Sequence, residues 1–365
     1  MVTIKDIAKE CNVSITTVSN VLNDKSKVGE QTKQKILEVI QKRGYRPNTI
    51  AQGLRSQKTK IIGIIADDIA QFTTPEIIEG IMSYCEKRGY RTTVRNLRMY
   101  ARWQDAWYYN KSAYHSVLDP MLEELDSHMV DGVIYIAGHA RKIDCFPADY
   151  KTPAVMAYAY EQNPRIPSVL IDDEGSAYQI VRYLIQNGHR RIGVIGGRED
   201  NIHTQKRLLG YQKALYEAKI LYNPELVRFA DWEKDSGYDK MKDLLKTNIT
   251  AVFCMTDRFA GGVYQYLNEL GLRPGYDLAV AGFDNQILAE YMIPGLTTMA
   301  LPLNEIGNVS AKLLFKQIEK GELEENMKIL IPCTFVERQS VMEIKGEEKA
   351  KQGNKKTSGH NKKSV

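Results

Sequence analysis

Residues 3–23 read TIKDIAKECNVSITTVSNVLN. Thr3 stands where a helix cap is expected, with Asp6 three residues on as its capping partner. Ile4, Ile7, Ala8 and Cys11 then share one face at helical spacing. Asn12-Val13 interrupts the pattern. Ser14 caps a second helix, whose apolar stripe is Val18, Val21 and Leu22, and Asn23-Asp24 ends it. A third helix runs from about Glu30 to Arg43 and buries Ile36, Val39 and Ile40. Gly29 stands at its start, and Gly44 supplies its C-terminal stop. The chain thus opens with three short helices.

Charge separates this module from the rest. Residues 1–60 hold 12 Lys/Arg against 5 Asp/Glu, net +7, and residues 341–365 hold 7 against 3, net +4. Since the whole chain is +5, residues 61–340 stand at −6. A basic module on a mildly acidic body points to a polyanionic partner for the N-terminus alone.

Beyond residue 60 short apolar runs alternate with amphipathic segments. The runs are 61–66, 133–137, 154–158, 169–171, 192–195, 251–255 and 278–281. Helical patterns fill 76–88, 121–129, 176–187, 206–218, 236–245, 259–270 and 305–319. Near-continuous apolar strands alternating with helices imply parallel, doubly wound sheets. About 280 residues is comfortable for two such sheets. The end of the chain is rich in Lys, Gly, Asn and Ser. It reads as a disordered tail without the leucine heptads of a coiled coil.

Several function classes fall away. No stretch approaches the ~20 apolar residues of a membrane span. The N-terminus lacks the apolar run of a signal peptide, so a cytoplasmic location is expected. The cysteines at 11, 85, 145, 254 and 333 form no CxxC pair and read as reduced thiols. The histidines lack metal spacing, so neither metal nor cofactor is expected. Residues 192–197, IGVIGG, lack the GxGxxG of a dinucleotide turn, and no nucleophile–base constellation appears. An enzyme is therefore not expected. A secreted sugar-binding receptor is opposed by the missing signal peptide and the basic module.

Residues 3–23, followed by KILEVIQKRGYRPNTIAQGLR at 35–55, closely resemble the lactose-repressor (LacI/GalR) family. Through the body the same resemblance is carried by IIGIIADDI, MVDGVIYI, LIQNGHRRIGVIGG, RLLGYQKAL, AVFCMTDRFAGG, LAVAGFDN, GLTTM and FVERQS. It covers residues 2–340 in the family's order. It implies a helix-turn-helix, a hinge helix, and an α/β core like a periplasmic sugar-binding protein, with two subdomains joined by three crossovers near 168–172, 297–301 and 328–331. The implied divisions are 1–46 for the DNA-binding domain and 47–60 for the hinge helix and linker. Residues 61–170 with 300–326 form the N-terminal core subdomain, 171–299 with 327–342 the C-terminal one, and 343–365 the basic tail. Such a protein is a repressor that binds a palindromic DNA operator as a homodimer under the control of a small effector. That effector is most commonly a sugar, with purines as the alternative.

Residue roles follow from the same resemblance. Ile15, Thr16 and Asn20 would read bases in the major groove, off the apolar stripe. Thr3, Ser14, Thr17, Ser19 and Asn23 are placed for phosphate contacts. In the hinge, Leu54 matches a minor-groove wedge and Arg55 follows it. A helix of about eight residues cannot persist alone, so its folding must be coupled to DNA. Effector contacts fall on Phe72, Thr74, Asp172, Asn201, His203, Arg207, Trp232 and Asp284. Arginine and carboxylate bond hydroxyls strongly, and an indole covers an apolar sugar face. One stretch departs from the family. Between Asn96 and Leu118 the chain is longer by roughly a dozen residues, with Trp103, Trp107, Tyr108, Tyr109 and Tyr114 in it, and such a loop is often functional.

Overall fold

Thr3 is the N-cap of α1 (Ile4–Cys11). Its Oγ1 accepts from the Asp6 amide, and its own amide donates to Asp6 Oδ2 at 2.8 Å. These bonds to the Thr3 amide and hydroxyl hold the Asp6 carboxyl below its ordinary pKa. Asn12, left-handed at φ 56°, stops the helix. Ser14 Oγ then accepts from the Thr17 amide at 3.0 Å and starts α2 (Ile15–Leu22). Gly44, at φ 59°, closes α3 (Glu30–Arg43). Ile7, Ala8, Cys11, Val18, Val21 and Ile36 form the core of this module, with Leu22, Val39 and Ile40 packed at its margin. The computed structural model describes residues 2–22, 28–45, 58–104, 110–321 and 324–344, so Asn23, Leu54, Arg55 and the tail from 345 lie outside the described residues.

The core holds two parallel sheets. Strands β1 (Ile61–Ala66), β2 (Arg91–Asn96), β3 (Gly132–Ile136), β5 (Ala154–Ala157), β7 (Ser168–Ile171) and β13 (Lys328–Ile331) form the first, in the order β13-β7-β5-β3-β1-β2. The second runs β11-β10-β8-β9, from β8 (Ile192–Gly196), β9 (Val227–Phe229), β10 (Ala251–Cys254) and β11 (Ala279–Ala281). Short pairs add β4 (Lys142–Ile143) to β6 (Tyr160–Glu161), and β12 (Thr298–Ala300) to β14 (Thr334–Val336).

Helices cover both sheets. They are α4 (Thr74–Lys87), α5 (Met99–Trp103), α6 (Lys111–Ser127), α7 (Asp173–Gln186), α8 (Ile202–Glu217), α9 (Lys234–Leu245), α10 (Asp257–Glu269), α11 (Ile287–Tyr291) and α12 (Leu303–Lys320). The helix pairs cross where a side chain is absent. A Cβ on Gly210 would stand 2.2 Å from the Glu174 carbonyl oxygen, so α8 meets α7 backbone to backbone. All five cysteines are buried and unpaired.

The chain passes between the sheets after β7, after β12 and after β13. The last passage corrects a boundary. Residues 328–331 do not go with the second subdomain, because β13 pairs with β7 from Lys328↔Ser168 to Ile331↔Ile171 and forms the edge of the first sheet. Its ladder is satisfied there and Ile331 is buried against that sheet. The crossing follows at Pro332-Cys333, and β14 then pairs with β12, which bridges to β11 at Ala281↔Thr297.

Candidate nucleic-acid interface and effector site

On the N-terminal module, Val18 and Val21 turn inward and leave the start of α2 to solvent. Ile15 and Thr16 are exposed, Asn20 and Ser19 half-buried. Ile15, a large apolar side chain at 38% exposure, presents apolar surface to solvent at the start of α2. The hydroxyls of Ser14 and Thr17 lie 2.8 Å apart. Only one proton can lie between them, so the second stays free to donate to a phosphate. Thr3 differs, since its hydroxyl donates to Asp6 Oδ2 at 2.8 Å within the cap.

In the core, three of the eight expected effector residues converge, and they converge on a residue that sequence reading passed over. Asp173 is buried at the first turn of α7. Its Oδ1 accepts from Arg207 Nε at 2.8 Å and its Oδ2 meets His203 Nδ1 at 2.8 Å. Arg207 Nη1 donates to the Met255 carbonyl and lies 3.7 Å from Asp284 Oδ1. Its guanidinium carbon sits 3.7 Å from the Phe283 ring centroid. Asp284 Oδ2 accepts from Thr256 Oγ1 at 2.7 Å and from Gln286 Nε2 at 3.2 Å. The Asp284 backbone is at φ 110°, a conformation non-glycine residues avoid and which recurs at ligand clamps.

The electrostatics follow from burial against charge. Burial raises the Asp173 carboxyl, but the hydrogen bonds from His203 and Arg207 and the charge of Arg207 outweigh it and hold the group low. At Asp284 burial wins over Arg207, and its pKa is raised. Asp257, buried beside it and accepting from Thr298 Oγ1 and the Gln286 amide at 2.7 Å each, is pushed well up by burial and by the charge of Asp284.

His203 also reaches across to the first sheet. The Ala140 amide, in the loop after β3, donates to His203 Nε2 at 3.1 Å. The acceptor role of Nε2 leaves the proton on Nδ1, facing Asp173. Tyr158, at the end of β5, lies 5.3 Å from the imidazole, ring to ring. One residue beyond Ala140, Arg141 makes a bidentate pair with Asp67, 2.7 and 3.0 Å, and Asp67 also accepts from the Gly138 amide and the Tyr135 hydroxyl. Buried ion pairs therefore stand on both sides of the Ala140–His203 bond, at the carboxyl ends of the strands where open α/β sheets bind ligands.

The other expected residues have different surroundings. Asp172 and Asn201 are helix caps: Asp172 Oδ1 accepts from the Gly175 amide, and Asn201 Oδ1 from those of His203 and Thr204. The Asp172-Asp173 doublet was the one sequence signal for Asp173. Trp232, left-handed at φ 69°, stacks on Phe259 at 5.9 Å and lies against Gly197. Phe72 is exposed and Thr74 buried. The hydroxyls of Thr73, Thr74 and Thr204, at the starts of α4 and α8, are buried without a hydrogen-bond partner. A cavity of about 290 Å³ borders the same crossover, lined by Tyr160, Asp172, Asp173, Tyr178, Lys206 and Leu330 among others. Among the described residues no cluster of His, Cys, Asp or Glu is placed to hold a metal, and no helix is long and apolar enough to cross a membrane.

Comparison with known proteins adds three findings. Residues 3–48 match the model for bacterial regulatory proteins of the lacI family, and residues 181–341 that for a periplasmic binding protein-like domain. Catabolite control protein A of Priestia megaterium is 33% identical over 347 residues, 93% of this chain and 99% of the relative. The ribose operon repressor of Haemophilus influenzae is 31% identical over 351 residues, 94% of this chain and all of the relative. Among solved structures, the lac repressor dimer bound to operator and the anti-inducer ONPF superposes with a TM-score of 0.75 at 25% identity, over 93% of this chain and 99% of that one.

Proposed function

The chain belongs to the LacI family of DNA-binding transcriptional regulators, and from that premise we propose that it is a repressor whose grip on a palindromic operator is set by a sugar held between its two sheets. The observation that carries this reading is the buried chain Ala140–His203–Asp173–Arg207–Asp284, which spans the two halves of the core. Arg207 and Asp284 are the grip: a guanidinium and a carboxylate side by side bond vicinal hydroxyls from both sides. The unpartnered hydroxyls of Thr73, Thr74 and Thr204 suit a hydroxyl-rich ligand, since a buried polar group gains most from a partner. Trp232 is an aromatic wall at the same carboxyl edge of the second sheet, and Phe72 one at the edge of the first.

The DNA-facing roles follow the exposed edge of α2. Ile15, Thr16 and Asn20 read bases, and Ser14, Thr17, Ser19 and Asn23 hold phosphates, with Thr3 supporting the cap. Leu54 and Arg55 of the hinge enter the minor groove at the dyad, where two chains meet. The protein acts as a homodimer in the cytoplasm. Ile287, Tyr291 and Ile293, exposed together on and after α11, supply apolar surface for a second copy.

Selection of binding sites from random DNA followed by footprinting of the full chain tests this directly. A dimer protects a near-palindrome of about 14–20 base pairs with a distorted centre. Protection of a lone asymmetric half-site would remove the dimer model. Asn20→Ala relaxes preference at one base pair in each half-site, costing about 1–3 kcal/mol there. An unchanged motif for this variant would take Asn20 out of the readers.

A further inference from the structure

The chain enters the core through Lys58, Thr59 and Lys60, and there one carboxylate holds it. Asp131, half-buried just before β3, takes the incoming backbone on both of its oxygens. Its Oδ1 accepts from the Thr59 amide at 2.7 Å and its Oδ2 from the Lys60 amide at 3.1 Å. The Thr59 hydroxyl donates to the Met129 carbonyl at 2.8 Å and lies 3.0 Å from the same Oδ1. Main-chain bonds fix both flanks. The Arg91 amide donates to the Lys60 carbonyl and the Asp131 amide to the Ile61 carbonyl, each at 2.9 Å. Lys60 is left-handed at φ 54° and Met129 at φ 52°. Side chains other than glycine take that conformation at a cost, and it persists where the surroundings over-determine it. The direction in which the chain leaves β1 toward the N-terminal module is therefore imposed.

Asp131 is tied in turn to the body of the first subdomain. Its charge reaches the Tyr90 phenol, whose pKa is raised by burial and then by that charge. The Tyr90 ring meets Phe315 of α12 edge-on, with centroids 4.7 Å apart. Arg88 lies over the same Phe315 ring at 5.2 Å and pairs with Glu319 of that helix. α12 is the element that follows the passage after β12, so the mooring belongs to a unit that begins at a joint between the sheets.

Lengths decide what this mooring is worth. A freed residue spans up to about 3.3–3.6 Å, so releasing Thr59 and Lys60 gives each chain about 7 Å of slack. Shifts of packed elements at interfaces are commonly about 1–2 Å. Slack of the larger size absorbs a displacement of the smaller before it reaches the DNA.

We propose that Asp131 is a positioning residue for DNA recognition, fixing where and in what direction the linker leaves the core and so holding the two hinges of a dimer in register for the operator. This rests on the proposed dimeric repressor. Asp131 reads no base itself. Without it the N-terminal modules still find phosphates, but the two hinges meet less often at the operator's centre.

Fluorescence anisotropy with the full chain tests this, using the operator selected with the parent and a scrambled duplex of equal length. Asp131→Ala should bind the operator about tenfold or more weaker, because each hinge loses effective concentration for the other. Its affinity for the scrambled duplex should stay within about twofold of the parent's, since phosphate contacts persist. Two glycines inserted between Lys58 and Thr59 leave Asp131 and the whole core in place and add the same slack, so they should give the same selective loss. A parental ratio of operator to scrambled affinity in either variant overturns the proposal. Equal losses on both duplexes overturn it too, because the residue then supports DNA binding in general and not register. If Asp131→Ala fails to fold, the insertion decides alone. A parent that prefers no sequence overturns the repressor reading, and the positioning role with it.

Discussion

The two oxygens of Asp173 serve different masters, one Arg207 and the other His203. Removing the carboxylate therefore leaves a buried guanidinium short of its nearest counter-charge and an imidazole short of its acceptor. Breaking a buried pair from one side costs about 3–5 kcal/mol. Asp173→Ala is expected to lose stability of that order in urea unfolding, and a loss below about 1 kcal/mol would show that the pairing is not structural. The pH dependence has a definite sign. Because the folded-state carboxyl is held low, its contribution is complete above the unfolded value of about 3.9 and disappears as pH falls through the lower folded one. The gap between parent and Asp173→Asn should thus be constant from pH 7 to 5 and close below about 4. At this scale the sequence was legible where a side chain sits in a phrase: Arg207 in RLLGY and Asp284 in GFDN both lie in the buried cluster. It was not legible where two carboxylates adjoin. Asp172 caps α7 and Asp173 turns inward, and only the path of the chain between β7 and α7 decides which does which.

Elements place these residues, and the crossing of α7 with α8 matters most. Asp173 stands on one helix, His203 and Arg207 on the other, and Gly210 is the point of closest approach. Gly210→Ala must push the helices apart or bend one of them. Overpacking of this kind costs roughly 1–3 kcal/mol. It should also lengthen the Asp173–Arg207 pair, so the variant loses effector response while still binding operator. A variant with parental melting temperature and parental response would mean that the crossing tolerates a side chain. Regular elements with clear apolar periodicity were readable. The runs at 61–66, 192–195 and 251–255 are strands, within a residue or so at their ends. β2 escaped because it is an edge strand of arginines and threonines, buried only in part. α6 begins at Lys111, ten residues before its expected start, because Pro120 looks like a helix boundary. The stripe Tyr114, Leu118, Leu122 and Leu125 carries the helix through it.

At the scale of the whole molecule, the residues proposed to sense the effector and those proposed to read bases lie on separate modules. A ligand beside Arg207 can act on α2 only by favouring one arrangement of the core over another, because it touches no DNA contact itself. On the proposed reading the Ala140–His203 hydrogen bond is the joint at which such a preference would be expressed, since it ties the first sheet to the helix that carries Arg207. Two-sheet architecture was plain from the alternation of strands and helices. The exact seam was not, since β13 and β14 are neighbours in sequence and belong to different sheets. The most direct test is operator affinity, measured by fluorescence anisotropy, for the parent and for Arg207→Ala, each with and without a saccharide shown to bind the parent. The account predicts that the parent's affinity changes with saccharide by about 5- to 150-fold, the usual range of such coupling. Arg207→Ala should keep the parent's ligand-free affinity and not respond. An Arg207→Ala protein that responds at the parent's saccharide concentration, or a parent whose operator binding ignores the saccharide, would contradict it.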